Sequence, residues 1–89
     1  MKECFLYDKY HLYSGKVSEQ HFMSLIEVSG IRSDKVIKAL SEYFVGGLSR
    51  TVVCDKHSVS QCYLSVKIKH MQHVSKMVYD LQPYYSRAS

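Results

Sequence analysis

The chain has 89 residues, 46% hydrophobic and 22% charged, which allows one globular domain and excludes a disordered chain or two independent cores. No apolar run approaches the roughly 18 residues of a membrane span, and the N-terminus lacks the apolar stretch of a secretion signal, so a cytosolic chain without membrane contact is expected. The net charge of +4 is mild in total and matters only through its placement.

Residues 1–16 have no clean period and are rich in aromatics, with Phe5, Tyr7, Tyr10 and Tyr13 ahead of a Ser-Gly turn. They read as an arm, either folded back on its own core or packed on another subunit. Residues 17–89 read as a helical domain. Ser18 is a good N-cap, Glu19 suits the positive end of the following helix, and Phe22, Leu25 and Ile26 share one face before Ser29-Gly30 ends it. Ser33 caps a second helix, in which Val36, Ile37, Leu40, Tyr43 and Phe44 form a stripe of period 3.6. Gly46-Gly47 closes it, because glycine enters the left-handed conformation without steric cost.

The stretch Leu48–His70 reads as a helix-turn-helix. A short helix runs from Ser49 to about Lys56, His57-Ser58-Val59 makes the corner, and Ser60 caps the next helix. Two helices crossing at a fixed angle need a small residue near the crossing, here Cys54. The turn favours glycine, where this chain has the less favourable Ser58. Val53, Cys54, Val59, Leu64 and Ile68 are the expected packing residues of the motif. The last helix is predicted to run from Ser60 to about Gln82, where Pro83 stops it. At ~1.5 Å per residue that is over 30 Å, more than a recognition helix needs. Its far half must bury Met71, Val74, Met77, Val78 and Leu81, either on the first helix or on a second subunit, which makes them candidates for oligomerisation.

Residues 1–47 carry six Lys/Arg and six Asp/Glu, a balance of zero, whereas residues 48–89 carry six Lys/Arg against two acids, the whole excess of four. His57, His70 and His73 add weak positive potential there. A charge excess on a candidate recognition element is the footprint of a phosphate-backbone binder. The expected DNA-facing set is Arg50, Ser60, Gln61, Cys62, Tyr63, Ser65, Lys67 and Lys69. Arg50 lies in the first turn of the motif's first helix, the start of the last helix can receive a phosphate, and Lys67, Lys69 and Lys76 would give salt-sensitive affinity. Apart from Gln61 the face is poor in bidentate base readers, which favours recognition through DNA shape and A/T content.

Cys4, Cys54 and Cys62 form an odd set without a Cys-x-x-Cys pair, as suits reduced thiols. Cys54, His57, Cys62, His70 and His73 lack the spacing of a structural zinc site. Nothing supplies an orienting carboxylate or an oxyanion hole to a Cys–His nucleophile. No metal, cofactor or enzymatic activity is expected.

The strings Ser18-Glu19-Gln20-His21-Phe22, Leu25-Ile26, Ser29-Gly30-Ile31, Tyr43-Phe44-Val45-Gly46-Gly47, Ser49-Arg50-x-x-Val53-Cys54, Tyr63-Leu64-Ser65 and Leu81-x-Pro83-Tyr84-Tyr85 resemble the PapB/FocB family of enterobacterial adhesin-biosynthesis transcriptional regulators. The resemblance covers about residues 15–86, with Cys62 standing where a glycine is expected before the tyrosine. It implies a small all-α regulator of fimbrial or afimbrial adhesin operons, cytoplasmic and nucleoid-associated. Such a regulator acts as a homo-dimer or higher oligomer on double-stranded A/T-rich DNA through the minor groove. It also implies a DNA contact for Arg50, a helix-crossing role for Cys54, and a protein partner in cross-regulation between adhesin systems. The alternative is a protein-interaction module that regulates through a recombinase or another regulator without touching DNA.

Overall fold

A computed structural model describes residues 10–85. Among them the chain is all-α, with four helices: α1 (Glu19–Ser29), α2 (Asp34–Phe44), α3 (Arg50–His57) and α4 (Gln61–Tyr85). Each helix starts at a serine. The Ser18, Ser33, Ser49 and Ser60 hydroxyls accept the backbone N–H of His21, Val36, Val52 and Tyr63 at 3.1, 3.4, 3.2 and 3.0 Å. Each cap satisfies one of the N–H groups that a helix start leaves without an intrahelical partner.

The core draws on all four helices. Phe22, Leu40, Phe44, Val53, Leu64, Met71 and Val74 are the largest fully buried side chains, and the Phe22 and Phe44 rings lie 6.4 Å apart. Burying a side chain of this size stabilises the fold by about 1.5–3 kcal/mol. Met71 and Val74 are therefore committed to the chain's own core, at 0% and 2% exposure, and are not available to a second subunit. Of the five residues expected at an oligomer surface, Met77, Val78 and Leu81 remain exposed.

Helix α4 has 25 residues and continues through Pro83 to Tyr85, past the predicted stop. Proline removes one N–H and crowds the carbonyl four residues earlier, but its fixed φ is helical, so the final turn persists beyond it. Every residue from Lys76 to Tyr85 is exposed, although Val78 and Tyr79 are each more than half covered, with Tyr79 against Tyr10.

The end of α2 also differs from expectation. Its C-cap is Val45 in the right-handed region, and only Gly47 of the Gly-Gly pair has positive φ, at 78°. Gly46 is small for another reason: a Cβ there would lie 2.8 Å from the Glu42 carbonyl oxygen.

Residues 10–17 fold back on the helices, with Leu12 and Val17 buried. The Gln72 side chain on α4 accepts the Leu12 N–H and donates to the Leu12 carbonyl, both at 2.8 Å. Ser75 donates to the Tyr10 carbonyl, and the Tyr10 and Tyr79 rings pack 5.9 Å apart. On α2, the Tyr43 carbonyl accepts the Ser14 hydroxyl at 3.0 Å and the Gly15 N–H at 3.3 Å, while the Phe44 carbonyl accepts the Val17 N–H at 3.2 Å. Here the backbones cross closely: a Cβ on Gly15 would lie 3.1 Å from the Gly47 Cα. Phe5 and Tyr7 of the expected arm lie outside the described residues.

Candidate functional site

The α3–α4 pair is joined by Ser58, Val59 and Ser60. Ser58 adopts the left-handed conformation (φ 56°, ψ 46°), and it is the non-glycine residue with positive φ among those described. Its N–H and that of Val59 both donate to the Cys54 carbonyl, which folds the chain back at the end of α3. Cys54 is buried beside the turn and Val59 packs half-buried on the core. Leu64 and Ile68 seat α4 from its inner face, with Val53 opposite them in the same core.

Those anchors set the direction of every other side chain near the start of α4. Cys62, Val66, Lys69 and His73 recur at helical spacing and are all exposed, forming the outward stripe. Gln61 and Ser65 occupy the flank toward α3, where Gln61 donates to the Thr51 hydroxyl at 3.4 Å and Ser65 accepts from Arg50 at 3.1 Å. Tyr63, Lys67 and His70 occupy the opposite flank. The Lys67 ammonium sits 5.3 Å from the Tyr63 ring centroid, and His70 Nε2 lies 3.1 Å from the Ser29 carbonyl oxygen at the end of α1.

The structure thus joins most of the expected surface. Arg50, Gln61 and Ser65 meet across the helix pair, Tyr63 and Lys67 form one flank, and Cys62 and Lys69 lie on the outward stripe. The Ser60 hydroxyl accepts from Tyr63 as the α4 cap. Among the described residues, Arg50, Lys67 and Lys69 have no carboxylate within ion-pair distance. The other cations nearby are paired. Lys56 lies 2.9 Å and His57 3.2 Å from the two Glu42 carboxylate oxygens. Those two hydrogen bonds hold the Glu42 carboxyl below its ordinary pKa of 4.5. Farther along α4, Lys76 lies 2.9 Å from Asp80, and that bond raises the Lys76 pKa.

Sequence reading did not assign Tyr43 or Thr51 to this surface. Tyr43 sat in a core stripe, and nothing in its spacing signals that its ring lies 5.9 Å from the Arg50 guanidinium. Val52, also exposed, was likewise not assigned. Among the described residues, no three His, Cys, Asp or Glu side chains gather as metal donors, and no helix is long and apolar enough to cross a membrane.

An all-α domain with a short helix folded tightly onto a long one, and with three cations about that pair that have no carboxylate partner among the described residues, has the form of a small regulatory protein. The family described as PapB, adhesin biosynthesis transcription regulatory protein, matches residues 2–85. The regulatory protein FanB of Escherichia coli is 49% identical over 72 residues, covering 81% of this chain and 73% of FanB. The AFA-III adhesin operon regulatory protein of the same organism is 47% identical over 74 residues, covering 83% of this chain and 73% of that protein. The crystal structure of E. coli FocB superimposes with a TM-score of 0.80 at 36% identity, covering 97% of this chain and 100% of FocB. The chain belongs to the family of adhesin biosynthesis transcription regulatory proteins, whose members are regulators of transcription and not enzymes.

Proposed function

We propose that this chain regulates an adhesin operon by binding DNA directly, with α3 and the first half of α4 acting as a helix-turn-helix laid against the duplex. The observation that carries the reading is that Arg50, Lys69 and Lys67, on the α3 flank, the outward stripe and the far flank of the helix pair, lack carboxylate partners among the described residues. Cations left unpaired on an exposed face are available to phosphates, and the start of α4 adds oriented N–H groups.

Magnitudes argue for an assembly. Each phosphate contact contributes about −0.9 to the slope of log K against log salt, so three per protomer give roughly −3. That is well short of the roughly 6–10 contacts behind a steep salt dependence. Two or more protomers on adjacent turns of DNA multiply the contacts and bind by effective concentration. The exposed Met77, Val78 and Leu81 supply an apolar surface for that association. The exposed face of α4 is poor in side chains that pair two atoms of one base edge, with Gln61 the main exception, which favours an A/T-rich site read by groove shape.

The test is fluorescence anisotropy with A/T-rich and G/C-rich duplexes at low and moderate salt, with a minor-groove ligand as competitor. Tight, salt-sensitive binding to the A/T-rich duplex that the ligand displaces is expected. Absence of any duplex affinity at low salt would overturn the reading. So would unchanged binding when Arg50→Ala and Lys67→Ala are combined.

A further inference from the structure

Arg50 is the first residue of α3, yet its side chain touches two other helices. One terminal nitrogen donates to the Ser65 hydroxyl on α4 at 3.1 Å, and the guanidinium carbon lies 5.9 Å from the Tyr43 ring centroid on α2. Both partners are themselves fixed. Tyr43 is half-buried, its ring stands edge-on to fully buried Phe44 at 4.9 Å and 78°, and its carbonyl is tied to Ser14 and Gly15. Ser65 lies one residue after buried Leu64 and is half-buried.

We propose that Tyr43 and Ser65 are positioning residues for Arg50, holding its guanidinium in a set orientation before DNA arrives so that its remaining donors meet a phosphate as a rigid fork. The inference rests on the DNA-binding reading above. A guanidinium has five N–H donors. One is used by Ser65, and contact with the face of the Tyr43 ring uses none of the in-plane N–H bonds. Arg50 is exposed as a residue, so donors remain for an anion. Binding normally has to immobilise a long side chain, and a side chain already held avoids that loss. The saving corresponds to about a two- to tenfold gain in affinity. Tyr43 need not touch DNA for this, and the Ser65 hydroxyl serves Arg50 rather than a base.

The experiment measures affinity for one A/T-rich duplex, together with thermal unfolding, for the parent, Tyr43→Leu, Tyr43→Phe, Ser65→Ala and Arg50→Ala, and for Tyr43→Leu combined with Arg50→Ala. Tyr43→Leu and Ser65→Ala should each weaken binding about two- to tenfold, and Tyr43→Phe, which keeps the ring face, should restore it. In the Arg50→Ala background, Tyr43→Leu should weaken binding less than about twofold further, because the two act through one group. An equal loss with and without Arg50 would make Tyr43 merely structural and overturn the proposal. Unchanged binding in Arg50→Ala, with the parent still binding, would overturn it while leaving the DNA-binding reading in place. A parent without duplex affinity would overturn both. A readout that needs no DNA is ¹⁵N relaxation at Arg50 Nε in the unbound protein: an order parameter below about 0.6 would also sink the proposal.

Discussion

The Gln72 side chain closes a two-bond ring with the backbone of Leu12, accepting its N–H and donating to its carbonyl at 2.8 Å each, across 60 residues of sequence. A side-chain amide thereby stands in for a neighbouring strand. Gln72→Ala leaves both Leu12 groups without that partner in a partly buried position, so a loss of about 1–3 kcal/mol is expected. Urea denaturation monitored by circular dichroism would measure it as a lower midpoint. Gln72→Glu keeps the acceptor and removes the donor, and should fall between the parent and Gln72→Ala.

The turn between α3 and α4 predicts a gain. Ser58 holds φ at 56°, a conformation that places its Cβ against the following carbonyl. Ser58→Gly removes a penalty of about 1–2 kcal/mol and returns part of it as extra freedom in the unfolded chain. A net stabilisation of about 0.5–1 kcal/mol should appear as a melting temperature raised by about 2–8 °C. Ser58→Val should move the midpoint the other way, since a β-branched residue tolerates this region poorly.

Acid should loosen the end of α3. Lys56 and His57 hold the Glu42 carboxyl below its ordinary value of 4.5. A carboxyl whose pKa is lower in the folded state stabilises the fold above the unfolded-state value, and that contribution disappears as pH falls through the folded-state value. The stability difference between the parent and Glu42→Gln should therefore be present at about pH 7 and shrink as acid protonates Glu42 in the folded state, followed by urea midpoints across the acid range. A difference that persists in acid would show that charge is not what ties Glu42 to Lys56 and His57.

Two apolar residues of α4 should behave oppositely. Met71 is fully buried, and Met71→Ala is expected to lower stability by about 2–5 kcal/mol. Leu81 is 48% exposed, so Leu81→Ala should leave the unfolding midpoint of the isolated protomer nearly unchanged. If the end of α4 assembles protomers, Leu81→Ala will instead shift sedimentation equilibrium toward the monomer. A normal assembly state in that variant, and in its combination with Val78→Ala, would remove this surface from the proposal.

The helices were legible in sequence because their signals are local. Each start has a serine whose hydroxyl meets the N–H three residues on, and the stripes on α1 and α2 follow a period set by the helix itself. The packing of the α3–α4 pair around Cys54, Val59, Leu64 and Ile68 was readable for the same reason. What sequence did not reveal depends on distant partners. Leu12 and Val17 sit in a stretch without a period, and their burial rests on α2 and α4. Met71 and Val74 share a stripe with Val78 and Leu81, and only the point where α4 outruns its neighbours separates core from exposed surface. Arg50 was readable as a cation near the motif, but Tyr43 and Ser65 come within its reach only once three helices have packed. Pro83 misled because the rule about proline concerns the carbonyl behind it, and a helix near its end can lose that bond and still continue.

The crossing of Gly15 and Gly47 leaves no slack between the segment leading into α1 and the linker leading into α3. A methyl group on either would meet the other's backbone, so the two cannot part by even a side chain's width and keep the contact. The position where α3 begins is thus indexed to the front of the chain as well as to α4. A disturbance that lifts residues 10–17 would reach the cationic surface through this joint, without altering any residue on that surface.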